Sequence, residues 1–195
     1  MWKLAEFLRA IAGDARAQLS IAVDYMEPSH KGRYDARALY WARRAGQGGE
    51  PRGYLLAANI IVSNEPTAEG WKQIFEAYWA AAHAGNADGQ QAVAWCFEQG
   101  MGVVTNLERE WHWLNIAAAN GSKAAQLALS RRHAEGDGVK RDESQARFYL
   151  ELTQQHDKMK KRHVGIPVPY PRGGRPDGPE GGNRVSPGGK LETSN

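Results

Sequence analysis

A single cysteine, Cys96, stands in 195 residues. One thiol cannot staple the chain to itself or build a thiolate metal site, so a disulfide-framed fold is excluded and a reducing compartment is the simplest setting. Long apolar runs are equally lacking. No stretch approaches the ~18 residues of a membrane span. The N-terminal run from Met1 to Asp14 is broken by Glu6 and Arg9, which makes a poor signal peptide. The six histidines, at 30, 83, 112, 133, 156 and 163, form no His-x-x-x-His or His-Glu-x-x-His pair. These absences point to a soluble, cytoplasmic protein with no membrane partner, no cofactor and no metal.

Charge of one sign is scarce over most of the chain. Residues 1–155 carry 17 Lys/Arg and 18 Asp/Glu, whereas residues 156–195 carry 8 and 4. The basic character therefore belongs to the end of the chain. A near-neutral body argues against nucleic acid as the main ligand, because duplex binding needs many phosphate-facing cations on the fold itself.

What the sequence does have is glycine at a fixed interval. Gly13, Gly49, Gly85 and Gly121 recur every 36 residues. Four positions after each stands a small residue, Ala17, Gly53, Gly89 or Ala125, followed by Gln18, Tyr54, Gln90 or Gln126. An apolar column comes next (Ile21, Ala57, Val93, Leu129), then a small one (Ala22, Ala58, Ala94, Ser130) and a large one (Tyr25, Ile61, Phe97, His133). The spacing i, i+4, i+5, i+8 puts all four columns on one helical face. A second helix in each unit is marked by Trp41, Ala77, Trp113 and Tyr149, with Ala45, Ala81, Ala117 and Thr153 four residues on. It ends at the marker glycine, the residue that most readily takes the left-handed conformation closing a helix. Between the helices of the last two units lie Gly100-Met101-Gly102-Val103 and Gly136-Asp137-Gly138-Val139, with Asn106 and Asp142 as N-caps of the second helices.

A helix pair with one apolar seam cannot bury it alone, so stacked units share a continuous core. The pattern predicts an all-α chain with helices near 2–12, 15–27, 35–47, 51–63, 70–84, 87–99, 107–120, 123–135 and 143–157. Residues 1–13 form a capping helix, 14–157 a repeat body (14–49, 50–85, 86–121, 122–157), and 158–195 a tail. In that tail, residues 164–195 hold eight glycines and six prolines, a composition expected to be disordered.

The unit resembles the Sel-one-like repeat, a relative of the tetratricopeptide repeat. The resemblance rests on Gln90, Val93, Ala94, Phe97, Gly100, Gly102, Val103, Trp113, Ala117, Ala118 and Gly121 in the third unit. In the fourth it rests on Ala125, Gln126, Leu129, Gly136, Gly138, Val139, Asp142, Ala146 and Tyr149. The first two units depart in the turn, where Pro28 and Asn64 replace the first glycine, and Glu110 stands where the family has alanine. The resemblance implies a right-handed α-solenoid and a bacterial-type adaptor or scaffold that holds a partner protein in its concave groove. It also admits an immunity protein masking a secreted toxin. It supplies no catalytic residue and no small-molecule substrate, so no enzyme is expected.

The residues that could carry chemistry read more simply as structure. Cys96 shares its column with Asp24, Ile60 and Arg132, with no histidine spaced to meet it, and reads as a buried thiol. Glu108 and Glu110, two apart on a helix, point to different faces. Gly100-x-Gly102 is matched by Gly136-x-Gly138, so a recurring turn explains it better than a phosphate loop. One column keeps its place without keeping its chemistry: Val23, Asn59, Trp95, Arg131. First helices line the inner surface of tetratricopeptide-like stacks, and an exposed tryptophan with an arginine one repeat along suits an interface hot spot. Asn59, Trp95 and Arg131 are therefore the expected partner contacts, and Gly13, Gly49, Gly85, Gly121, Gly102 and Gly138 the structural ones. The run Lys158-Met159-Lys160-Lys161-Arg162 and the later Pro-Val-Pro-Tyr-Pro segment leave open a binder of anionic surfaces or nucleic acid acting through the tail.

Overall fold

The computed structural model describes residues 2–26, 36–64 and 66–160, and these contain nine α-helices and no strand. The helices are α1 Trp2–Ile11, α2 Ala15–Asp24, α3 Ala36–Gln47, α4 Pro51–Ser63, α5 Ala68–His83, α6 Ala87–Gln99, α7 Leu107–Ala119, α8 Lys123–Glu135 and α9 Glu143–Lys160. Every helix packs on its sequence neighbours, α1 on α2 through to α8 on α9, which is the stacking of a helical repeat solenoid. The turn of the first unit, with Pro28, and the glycine- and proline-rich segment lie outside the described residues.

The helix ends follow from their caps. Asp14, Thr67, Asn86, Asn106 and Ser122 each accept backbone N–H bonds from the first turn of α2, α5, α6, α7 and α8. Thr67 starts α5 two residues earlier than the pattern suggests, because its hydroxyl oxygen accepts from Gly70 N–H at 3.2 Å. At its far end α2 stops three residues short, at the Tyr25 cap, where the expected helix ran to 27.

The marker glycines all take positive φ: 102° at Gly13, 94° at Gly49, 80° at Gly85 and 91° at Gly121. Each closes its helix with the same pair of bonds. At Gly85 the glycine N–H donates to Ala82 O at 3.0 Å, and the following Asn86 N–H donates to Ala81 O at 3.1 Å. Gly121 and Ser122 repeat this on Ala118 and Ala117 at 3.1 and 2.9 Å. This is the Schellman arrangement, which uses helix carbonyls that would otherwise be orphaned.

The recurring glutamine then crosses the junction. Gln18 Nε2 donates to Ala10 O at 2.9 Å, Gln90 Nε2 to Ala82 O at 3.2 Å, and Gln126 Nε2 to Ala118 O at 2.9 Å. All three glutamines are buried. The accepting carbonyl in each case already receives the marker glycine, so one oxygen ties a second helix to the next first helix. The second unit does without the bond. Tyr54 replaces glutamine, and Gly46 replaces the alanine beneath it, where an added Cβ would lie 2.7 Å from the tyrosine ring.

The column of small residues sets the helix spacing. A Cβ on Gly53 would meet Ala42 O at 2.6 Å and Ala45 Cβ at 2.9 Å, and one on Gly89 would meet Ala81 Cβ at 2.7 Å. The largest apolar cluster runs from Ala58 to Leu129 through Ile74, Phe75, Val93, Phe97 and Trp113, with two smaller clusters toward the N-terminal end. Phe75 and Phe97 meet edge to face at 5.6 Å, and Trp79 and Trp113 at 5.3 Å.

Gly53→Ala gives two effects opposite signs. Alanine is favoured over glycine inside a helix by about 1 kcal/mol, whereas forcing a methyl into a packed backbone contact costs about 1–3 kcal/mol. The added methyl faces α3 backbone, which cannot swing aside as a side chain could. A net loss of stability is expected in a urea or thermal melt, and a gain would show that α3 and α4 can separate at no cost.

Candidate functional site

Along the first helices, the column of changing chemistry is only partly open. Asn59 and Arg131 are exposed, as is Val23 at 53%. Trp95 is half-buried and packs against the central apolar cluster, so the exposure read from its place off the core face is too large. The indole turns back onto its neighbours because α6 sits inside the stack, covered on both sides. Asn59 is held by Tyr78, whose hydroxyl donates to Asn59 Oδ1 at 3.5 Å. Burial pushes the Tyr78 phenol up from its ordinary range, which keeps it a neutral donor. Beside Arg131, one turn earlier on α8, Leu127 is 50% exposed. Leu127 had a signal in the sequence: Leu19 and Leu55 occupy the same column, yet both are half-buried there.

A second polar cluster lies within the last two units. Arg132 donates through Nη1 to both carboxylate oxygens of Glu110, at 2.8 and 2.7 Å, and through Nη2 to Glu98 at 2.9 Å. Glu110 is buried on α7, whereas Glu108 is exposed, so the two do point to different faces. Loss of water pushes the Glu110 carboxyl up, against the opposing pull of the Arg132 guanidinium. Cys96, next to Trp95, is fully buried, and burial pushes its thiol up to about 12, so the nucleophilic thiolate is essentially unpopulated at neutral pH. No group of three or more His, Cys, Asp or Glu among the described residues is placed to hold a metal.

These helices, turns and junctions can be set against known proteins. A model of the Sel1 repeat matches residues 35–50, 87–122 and 123–153. These three matches support a Sel1-like repeat protein. The chain is 26% identical over 151 residues to the Sel1-repeat-containing protein YjcO of Escherichia coli K12, an alignment covering 75% of this chain. The chain spans 64% of the length of that relative. A Sel1 repeat protein from Oxalobacter formigenes superposes with a TM-score of 0.67 at 21% identity, over 82% of this chain and 67% of that one. A protective antigen present in uropathogenic Escherichia coli strains, displaying an SLR fold, superposes with a TM-score of 0.66 at 24% identity. That match covers 84% of this chain and 37% of the antigen. At these identities the two structures speak for the shared fold.

The Sel1 segments leave out residues 51–86, the stretch that holds Tyr54 in place of glutamine and Asn64 in place of the turn glycine. Where the Sel1 turn is intact, Gly102 has φ 73° and presses against the backbone of Trp71 at the start of α5, leaving no room for a Cβ. Gly138, with φ 69°, faces open space. Glu110, in place of the Sel1 alanine, is accommodated because Arg132 reaches it from the next unit.

This pair generates a sharp expectation. Arg132→Met leaves Glu110 buried without its cation and should cost about 3 kcal/mol or more. Adding Glu110→Ala restores the Sel1 residue, leaves Glu98 able to reach water, and should recover most of that loss. Chemical denaturation of the single and double variants checks it, and additive losses would contradict the coupling.

Proposed function

We propose that this chain is a non-catalytic interaction module that holds a partner protein along the first helices of its repeats, in the concave groove of the solenoid. Sel1 repeat proteins are generally protein–protein interaction scaffolds and typically non-catalytic. The observation that carries the reading is the column itself. Exposed Asn59 and Arg131 flank the half-buried Trp95 at one position of three successive first helices. On α4 and α6 the neighbouring positions, Ala58 with Ala94 and Ile60 with Cys96, are buried and apolar, whereas on α8 they are Ser130 and Arg132. A position repeated in space but free in chemistry suits a surface shaped by something other than the stack. Leu127 and Val23 add apolar area, so the favoured partner presents apolar groups with an acceptor for Arg131.

In this reading the repeat body is the binding unit. Trp95 supplies rigid area, and truncating such an anchor typically costs about 2 kcal/mol of binding or more. Because Trp95 also touches the core, its variant is paired with one that does not. Affinity capture on the full chain is compared for wild type, Trp95→Ala and Arg131→Glu, with melting temperatures measured alongside. Loss of the same retained protein in both variants, with the Arg131→Glu fold unchanged, is expected. Retention by both variants would move the interface off the first helices.

A further inference from the structure

One asparagine in the chain precedes a glycine: Asn120, directly before the marker Gly121. Asparagine is a thermolabile residue, and this pairing is the most prone to deamidate, because glycine has no side chain to shield its backbone nitrogen. Asn120 is exposed at the C-cap of α7. The other places before a marker glycine hold Ala12, Gly48 and Ala84, none of which can react in this way.

The fold holds Asn120 away from reaction. Its side-chain Nδ2 donates to Gln90 Oε1 at 2.8 Å. Gln90 Nε2 in turn donates to Ala82 O at 3.2 Å, so one buried amide joins the ends of α5 and α7. The Gly121 N–H, whose nitrogen would be the nucleophile, donates to Ala118 O at 3.1 Å. The Asn120 backbone, with φ −84° and ψ 7°, sets that nitrogen on the side of the residue's own N and away from Cβ. At the first junction the same glutamine oxygen, Gln18 Oε1, is buried without a partner among the described residues, and Gly48 stands in the asparagine's place. The Asn120 bond therefore belongs to the third unit and is no general demand of the stack.

We propose that Asn120–Gly121 is a deamidation site guarded by this junction: it reacts only while the end of α7 is open, and its product joins the third and fourth units less firmly. In the open state base removes the Gly121 N–H proton, and the nitrogen attacks Asn120 Cγ. The N–Cγ bond forms, the Cγ–Nδ2 bond breaks, and ammonia departs to leave a cyclic imide. Water opens the imide at Cγ to give aspartate, or at the backbone carbonyl to give isoaspartate. Either product lacks the Nδ2 donor, so Gln90 Oε1 loses its partner. Each also carries a carboxylate at the negative end of the α7 dipole. Isoaspartate lengthens the backbone by a methylene inside the cap, so the Gly121 and Ser122 N–H groups fall out of register with Ala118 and Ala117. Loss of ammonia makes the change one-way.

Peptide mapping by mass spectrometry of the full chain, incubated at mildly alkaline pH with and without urea, reads the rate at each asparagine. In denaturing urea Asn120 should convert ahead of Asn59, Asn64, Asn86, Asn106, Asn115 and Asn183. In the native protein its rate should be at least about tenfold lower, and should climb in urea too dilute to unfold the chain, because local opening carries the reaction. Gln90→Ala removes the acceptor and should speed native conversion at Asn120 alone. Asn120→Asp reproduces one product and should lower the melting temperature by about 2 °C or more. A native rate equal to the denatured one overturns the guard, as does a Gln90→Ala rate no faster than wild type. Earlier conversion of another asparagine in urea overturns the site. An Asn120→Asp protein as stable as wild type overturns the effect on the joint. Should Gln90→Ala fail to fold, the wild-type rates and Asn120→Asp decide.

Discussion

The carbonyls that end each second helix are the constraint on which the stack depends. An α-helix leaves its last carbonyls without intrahelical partners, and in a solenoid those groups are buried at the junction with the next unit. Two devices satisfy them together. The left-handed glycine turns the chain so that its own N–H and the next one fold back, and the buried glutamine of the following helix donates to the same oxygen the glycine uses. The first device fixes the angle of exit, and the second fixes how far along and how close the next helix lies. Only small residues then fit between them, which is why Ala17, Gly53, Gly89 and Ala125 share a column.

With the junction face so constrained, variation is pushed to what remains of each first helix. The column through Asn59, Trp95 and Arg131 lies off the junction, and its side chains are under no shared demand. The Glu98–Arg132–Glu110 cluster is a different kind of variation: an ionic substitute inside the stack, tolerated because all three groups are satisfied at once. Its net contribution to stability is modest, since burial of Glu110 works against the attraction. What it contributes is an ionic link between the third unit and the fourth beside their shared apolar cluster, Arg132 reaching both carboxylates.

Much of this was legible in the sequence, because the same physical demand is written four times. The marker glycines show positive φ, and the first- and second-helix boundaries fall within a few residues of the spacing. The compensations were not legible. Glu110 stands out as a departure from alanine, but its partner is 22 residues away, and nothing short of the stacking geometry joins them. Tyr54 and Gly46 are each an oddity in their own column, and only their contact shows them to be one change. Trp95 reads from the spacing as exposed and off the core face, yet it packs on the central cluster, because a helical face gives no measure of how far flanking helices reach around it.

The junction of the second unit offers the most direct measurement. Gly46→Ala sets a methyl against the Tyr54 ring and should lower the melting temperature. Adding Tyr54→Gln rebuilds the alanine-and-glutamine junction of the other units and should restore most of the loss, because the glutamine recovers the bond to the residue 46 carbonyl. If the double variant is instead as unstable as the two single losses added, the glutamine-to-carbonyl bond is incidental and something else holds the repeats in phase.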